Sequence, residues 1–280
     1  MDLLELTLNI ARKVGDYLRK SIPSPESISI VSKSRDDVTR KIDLDIENMI
    51  IEELKSRDID CIVICEEHGI VKIGNTNPKY IFVVDPLDGS ANFVSNLPFY
   101  SISIASGLYK GQNMLIRDLE VGIVNYVPRE VMYISDSNSN TFKIEGNDIM
   151  YTEYPHEKPS FVLYTEPRNR ELMLKFLDEF WREFPEVKVR IFGAASIEMM
   201  QTLLGKFLGF IDIRDKLRVV DISASYVCAK VLNAHVLDLR GRDIGDRKIL
   251  ELPRLSFILS RDDETTRRLL KIFDRVLRNF

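Results

Sequence analysis

The sequence predicts a mixed fold, an α+β first half followed by an α/β second half. Three observations predict it. Short apolar runs that end in acids, followed by alternating segments, fill residues 61–145; beyond residue 160 strand-like and helix-like patterns take turns. The 280 residues, 45% hydrophobic and 29% charged, are enough to bury one large core or two adjoining ones. The two halves are expected to divide at residues 1–150 and 151–280.

Composition excludes several classes. The 39 Lys+Arg against 43 Asp+Glu leave a net charge of −4 and a pI near 5.6, which gives no electrostatic footprint for nucleic acid. No stretch reaches the roughly 18–20 apolar residues of a membrane-spanning helix. The opening MDLLELTLNIARK has acids where a signal peptide carries basic residues, so the chain is expected to be cytoplasmic. Cys61, Cys65 and Cys228 make an odd count without a CxxC, so they are expected in the core and not in a disulfide framework or metal site.

Taken in order, Leu3, Leu6, Ile10, Val14 and Leu18 recur close to helical spacing until Pro23 and Pro25 stop the pattern. The charged stretch 32–38 reads as a mobile surface loop that closes over a site, with Lys33 and Asp37 near it. A second helix over 43–56 would turn Ile46, Met49, Ile50 and Leu54 inward. Cys61–Cys65 and Tyr80–Val84 read as buried strands, Cys61 and Cys65 sharing one face. Segments at 100–108, 119–127, 130–135 and 141–145 suggest an antiparallel sheet. Then come a strand at 161–165, a helix over 169–181, a strand at 187–192, a helix from 194 to 204, a strand at 207–213, a helix beginning near Asp221, strands at 235–239 and 256–260, and a last helix over 263–278. Trp181 ends a helical apolar pattern and reads as a packing or dimer residue.

The chemistry concentrates in Val84-Asp85-Pro86-Leu87-Asp88-Gly89-Ser90-Ala91-Asn92-Phe93. Pro86 and Gly89 favour a tight turn that brings both carboxylates and the Leu87 carbonyl to one side. A short helix opening at Gly89-Ser90 would offer backbone N–H groups to an anion beside them. Read alone, DPLDG is a turn with a capping Asp. It does not stand alone: Glu66-Glu67 follows the preceding apolar strand in the same way, Asp43 lies four residues after Thr39, and Asp221 follows Val219-Val220. Each has a plain explanation, a solvated pair or an N-terminal helix charge, but dismissing the set needs four such explanations at once. All-oxygen ligands suit Mg²⁺, and His68, His156 and His235 do not form a zinc spacing.

This set, Val38-Thr39 with Asp43, Glu66-Glu67, the DPLDGSANF segment and Val220-Asp221, resembles the inositol monophosphatase superfamily, and most closely its archaeal members that act on inositol monophosphate and fructose 1,6-bisphosphate. The resemblance runs from the first helix to Gly193-Ala194-Ala195-Ser196 and beyond. It implies the layered αβαβα sugar-phosphatase fold, a homodimer, and Mg²⁺-dependent hydrolysis of a phosphate monoester with two to three ions, Mn²⁺ being a substitute. It also implies that Glu66, Asp85 and the Leu87 carbonyl hold one ion, and Asp85, Asp88 and Asp221 a second. Ser90, in place of the family's Thr, would pair with Asp43 to position the attacking water with Glu66 nearby, and the N–H groups of Gly89 and Ser90 would hold the phosphate. Gly193 and Ala194 would face the sugar. Cys65 and His68 flank the Glu-Glu pair where the family has other residues, and Val220 replaces its common Trp. Seven residues before Asp221, where inositol-preferring relatives often carry an acid, stands Arg214, which favours a second phosphate; Arg190, Arg214 and Arg218 are candidate substrate contacts and Arg168 a weaker one. Two alternatives stay open, a 3′-phosphoadenosine 5′-phosphate phosphatase and a non-catalytic metal-binding regulator. The spacing of the acids does not follow an EF-hand.

Overall fold

Asp2 starts helix α1 (Leu3–Lys20) by accepting the Leu4 N–H at 3.0 Å, and Arg19 and Lys20 complement the dipole at its far end. The computed structural model describes residues 2–21, 23–24, 26–33, 38–74, 77–155, 157–166 and 170–278. Strands β1 (Ile30–Lys33) and β2 (Val38–Arg40) pair antiparallel, so Ser32, Lys33 and Val38, expected in a loop, lie in paired strands instead; Asp37, like Arg168 and His156, lies outside the described residues. Helix α2 (Lys41–Ser56) begins two residues earlier than expected because Asp43 sits inside its first turn, where its carboxylate accepts the Arg40 N–H at 3.0 Å. Ile46, Ile50 and Leu54 are buried as expected, but Met49 is only half-buried.

Next come β3 (Cys61–Cys65), β4 (Ile70–Ile73), β5 (Tyr80–Asp88), helix α3 (Ser90–Val94), β6 (Ser101–Leu108), β7 (Val121–Tyr126), β8 (Val131–Asp136) and β9 (Thr141–Glu145). They build a seven-stranded sheet in the order β4-β3-β5-β6-β7-β8-β9, antiparallel except for β3 beside β5. The second half supplies β10 (Ser160–Tyr164), α4 (Arg170–Glu183), β11 (Lys188–Arg190), α5 (Ala195–Leu203), β12 (Gly209–Leu217), α6 (Val219–Val231), β13 (His235–Asp238), β14 (Leu255–Ser260) and α7 (Asp263–Leu277). Its five-stranded sheet runs β11-β10-β12-β14-β13, with β10 parallel to both neighbours and β14 antiparallel to both of its own.

Period-two alternation sorts these strands into layers. Cys61, Val63, Phe82 and Val84 pack with α1 and α2, whereas Ile62, Ile64, Ile81 and Val83 face the core built by α5 and α6. That central core also takes Val162, Phe210 and Phe257 from the second sheet, whose opposite face, with Phe161, Leu163 and Ile211, packs on α4 and α7. The order is therefore helix pair, sheet, helix pair, sheet, helix pair. Helix α6 is buried on nearly every side because it lies between two sheets. Its approach to β7 demands Gly122, where an added Cβ would sit 2.4 Å from the Ala224 carbonyl oxygen. All three cysteines are buried and free, while Trp181, expected to pack or to meet a second copy, is 48% exposed on the outer helix α4 and so does not pack within the chain. Among the described residues no helix is long and apolar enough to cross a membrane.

Candidate active site

The carboxylates of Glu66, Asp85 and Asp221 each offer an oxygen within 4.8 Å of the others. Three elements bring them together: Glu66 follows the end of β3, Asp85 lies near the end of the parallel neighbour β5, and Asp221 sits in the first turn of α6 from the second half of the chain. Asp221 occupies the same helical position as Asp43, each closing an Arg-x-x-Asp first turn; the Arg218 N–H donates to Asp221 at 2.6 Å. The helix-start reading and the ligand reading of Asp221 thus hold together.

The turn expected at Pro86–Gly89 is a β-bulge. Asp85 pairs with Ser103 and Asp88 with Ser101, so one extra residue is absorbed between them, and the Leu87 N–H folds back onto Asp85 at 3.1 Å. Gly89 then begins α3 with φ +88°; a Cβ there would meet the Phe99 carbonyl oxygen at 2.9 Å, so only glycine fits. Ser90 is the first residue of α3, and no hydrogen bond joins it to Asp43 among the described residues.

The cluster is electrostatically tense. Asp85 is 2% exposed; burial foremost, then the charges of Glu66, Asp88 and Asp221, push its carboxyl well above the usual range, and Arg218 pulls it back. Asp43, also buried, is pushed up to about 7, chiefly by burial and further by Glu67 and Glu47, against the opposing Arg40 N–H. Asp88 does not join the three-carboxylate cluster. Its oxygens accept the N–H groups of Ala195 and Ser196 at 2.9 and 2.8 Å and the Ser196 hydroxyl at 2.6 Å, tying α5 to β5. Burial raises it to about 6 while those hydrogen bonds hold it down.

A family model for the inositol monophosphatase family matches residues 2–276. The chain belongs to the inositol monophosphatase family. A bifunctional NADP phosphatase/NAD kinase of Methanococcus maripaludis is 30% identical over 258 residues, covering 87% of this chain and 44% of the relative, so the chain spans less than half of that protein. A fructose-1,6-bisphosphatase of Pyrococcus furiosus is 26% identical over 238 residues, covering 85% of this chain and 84% of the relative. The fold is that of a solved inositol monophosphatase-fructose 1,6-bisphosphatase, with a TM-score of 0.77 at 24% identity over 97% of this chain and all of that one (100%).

Within this family fold, two of the expected substrate contacts are committed elsewhere. Arg214 lies over the Tyr164 ring at 4.1 Å and donates to the buried Asp212 carboxylate at 2.6 and 3.0 Å, so its charge is neutralised by the protein. The Arg218 guanidinium donates to Glu66 and lies 3.6 Å from Asp221, which makes it a countercharge of the carboxylate cluster. Gly193 is exposed with φ +83° and Ala194 is buried, and the N–H groups of both point to Glu198 at 3.2 and 3.3 Å. Arg190 is exposed on β11.

Sequence reading missed three buried acids that shape this site. Glu47 accepts the N–H groups of Glu67 and His68 at 2.8 and 3.0 Å and approaches the His68 ring at 2.5 Å, holding the turn that presents Glu66. Glu198 accepts Phe192, Gly193 and Ala194 N–H groups and the Tyr164 hydroxyl. Asp212 anchors Arg214. A signal existed for each, an acid on an otherwise inward-facing position of a helix or strand, as Glu47 is one helical turn after Asp43.

Proposed function

We propose that this protein is a divalent-metal-dependent phosphomonoesterase that acts on inositol 1-phosphate and fructose 1,6-bisphosphate. The observation that carries this reading is the approach of Glu66, Asp85 and Asp221 within 4.8 Å around the buried Asp85, whose carboxyl is pushed up by burial and by its acidic neighbours. Such a donor set, hard oxygens with excess negative charge, fits Mg²⁺. Glu66, Asp85 and Asp221 would hold the ions, joined by the Leu87 carbonyl and by Asp88. Bound there, Mg²⁺ supplies Lewis-acid stabilisation of phosphoryl charge and lowers the pKa of water.

The chain's own residues do the rest. The N–H groups of Gly89 and Ser90 open α3 without intrahelical partners and would take the phosphate oxygens. The Ser90 hydroxyl would orient the attacking water. Asp43, whose carboxyl is pushed up to about 7, would take its proton at neutral pH. Glu47 and Glu198 hold the backbone on either side of this arrangement. The division into halves at about residue 150 and a homodimer complete the proposal; light scattering tests the dimer.

A second reading is favoured by the Methanococcus relative. In it the substrate is a phosphate on a nucleotide ribose, as in NADP or 3′-phosphoadenosine 5′-phosphate. Phosphate release from inositol 1-phosphate, fructose 1,6-bisphosphate, NADP and 3′-phosphoadenosine 5′-phosphate, measured side by side with Mg²⁺, decides between them. Turnover of the first two supports the main reading, turnover of the nucleotides alone the second, and no turnover of any sinks both.

A further inference from the structure

Edge strand β11 carries a feature opposite in sign to the carboxylate cluster. Its three residues alternate: Val189 packs against the α4 and α7 side, so Lys188 and Arg190, register partners of Ser160 and Val162, share the other face. Helix α5 ends at Leu203, and the chain turns through Lys206 and Phe207 into β12 beside this strand. Between them lies a cavity of about 450 Å³, lined by Lys158, Ser160, Lys188, Arg190, Lys206 and Phe207, with Glu157 the one acid.

The cations divide by partner. Lys206 is neutralised by Asp148, and Lys158 lies 3.9 Å from Glu186. Lys188 and Arg190 have no side-chain hydrogen bond or ion pair among the described residues. Two same-face positions of a strand are about 7 Å apart, close enough for both side chains to reach one phosphate group. Phe207 adds an apolar wall, and its ring lies 6.1 Å from Phe192, whose carbonyl accepts Asn92 of α3 at 2.7 Å. A concave cavity of this size suits a small molecule and not a nucleic-acid strand.

We propose that this cleft is a binding site for a phosphorylated small molecule, with Lys188 and Arg190 holding its phosphate. The ligand is either the distal phosphate of a bisphosphate substrate or a separate phosphate-bearing molecule. The site does not depend on the phosphatase reading, and its first test uses no divalent ion.

Pyrophosphate titrated by calorimetry into the full chain in EDTA reads this cleft, because the bare carboxylate cluster repels anions. One pyrophosphate per chain is expected, weakened about tenfold or more in Lys188→Ala/Arg190→Ala by loss of two charge-assisted bonds, restored in part by Lys188→Arg, and unchanged in Asp85→Asn. Both side chains are exposed, so the double variant should melt with the wild type. No binding by the wild type, or equal binding by the double variant, overturns the proposal. With Mg²⁺ present, a rise in KM for fructose 1,6-bisphosphate but not for inositol 1-phosphate in the double variant identifies the site with the distal substrate phosphate; KM values unchanged for both, with pyrophosphate binding lost, identify it with a separate ligand.

Discussion

Two groups of buried acids lie side by side here, and they differ in what satisfies them. Glu47 and Glu198 each accept at least three N–H or O–H donors, or donors plus a ring nitrogen, from the protein itself. Among the described residues Asp85 accepts one, the Leu87 N–H, and it shares the Arg218 countercharge with Glu66 and Asp221. The first group is paired as buried acids in a stable fold should be; Asp85, buried with the charges of Glu66, Asp88 and Asp221 around it, carries an excess of negative charge that an added cation would offset. Burial alone does not mark a ligand site, whereas burial without enough donors does.

The comparison breaks at the extremes first. Asp85→Asn removes a repelled charge, so it should lower Mg²⁺-dependent phosphate release by roughly 10³-fold, the several kcal/mol that bound metal ions supply, while the metal-free melting temperature stays level or rises. Glu198→Ala should behave in the opposite way, destabilising the fold by about 2–4 kcal/mol in urea unfolding because several donors lose their acceptor at once. Glu47→Ala tests the role of holding the Glu66 turn: Mg²⁺ affinity by calorimetry should fall about 10- to 100-fold, the usual effect of losing an outer-shell partner, although Glu47 itself binds no ion.

A pH scan sharpens the same contrast. Burial raises the Glu198 carboxyl to about 7 from its ordinary 4.5, so the folded state holds that proton more tightly than the unfolded chain does. Its stabilising contribution is then full below pH 4.5 and is lost as the pH rises through 7, with Asp43 acting in the same direction. Urea unfolding in EDTA should show a fall of about 1–3 kcal/mol from pH 5 to pH 8, and Glu198→Gln should flatten it. The smallest effect belongs to Arg218: Arg218→Ala frees the cluster of a competing cation, so Mg²⁺ affinity should rise about three- to tenfold, the scale of a partly exposed ion pair.

Much of this was legible in the chain. Asp85, Glu66 and Asp221 stand out because apolar strands and a helix start run straight into them, and β3, β5 and the alternating strands follow from period-two patterning. Strand β4 escaped because three of its four residues, Ile70–Lys72, are not buried and the strand pairs only at an edge. The bulge at Pro86–Leu87 is a matter of register with β6, which no local pattern carries. Glu198 acts through a loop folded back on its own helix, and Glu47 through a turn twenty residues away, so their partners exist only in three dimensions. Arg214 could have been read correctly, since Asp212 two residues earlier shares its face of β12.

The most direct test of the central claim titrates Mg²⁺ into EDTA-stripped wild type and Asp85→Asn while phosphate release from inositol 1-phosphate is followed in the same samples. Metal binding and phosphate release should rise together in the wild type and be absent from the variant. Hydrolysis by the wild type in EDTA, or undiminished hydrolysis by Asp85→Asn, would contradict it.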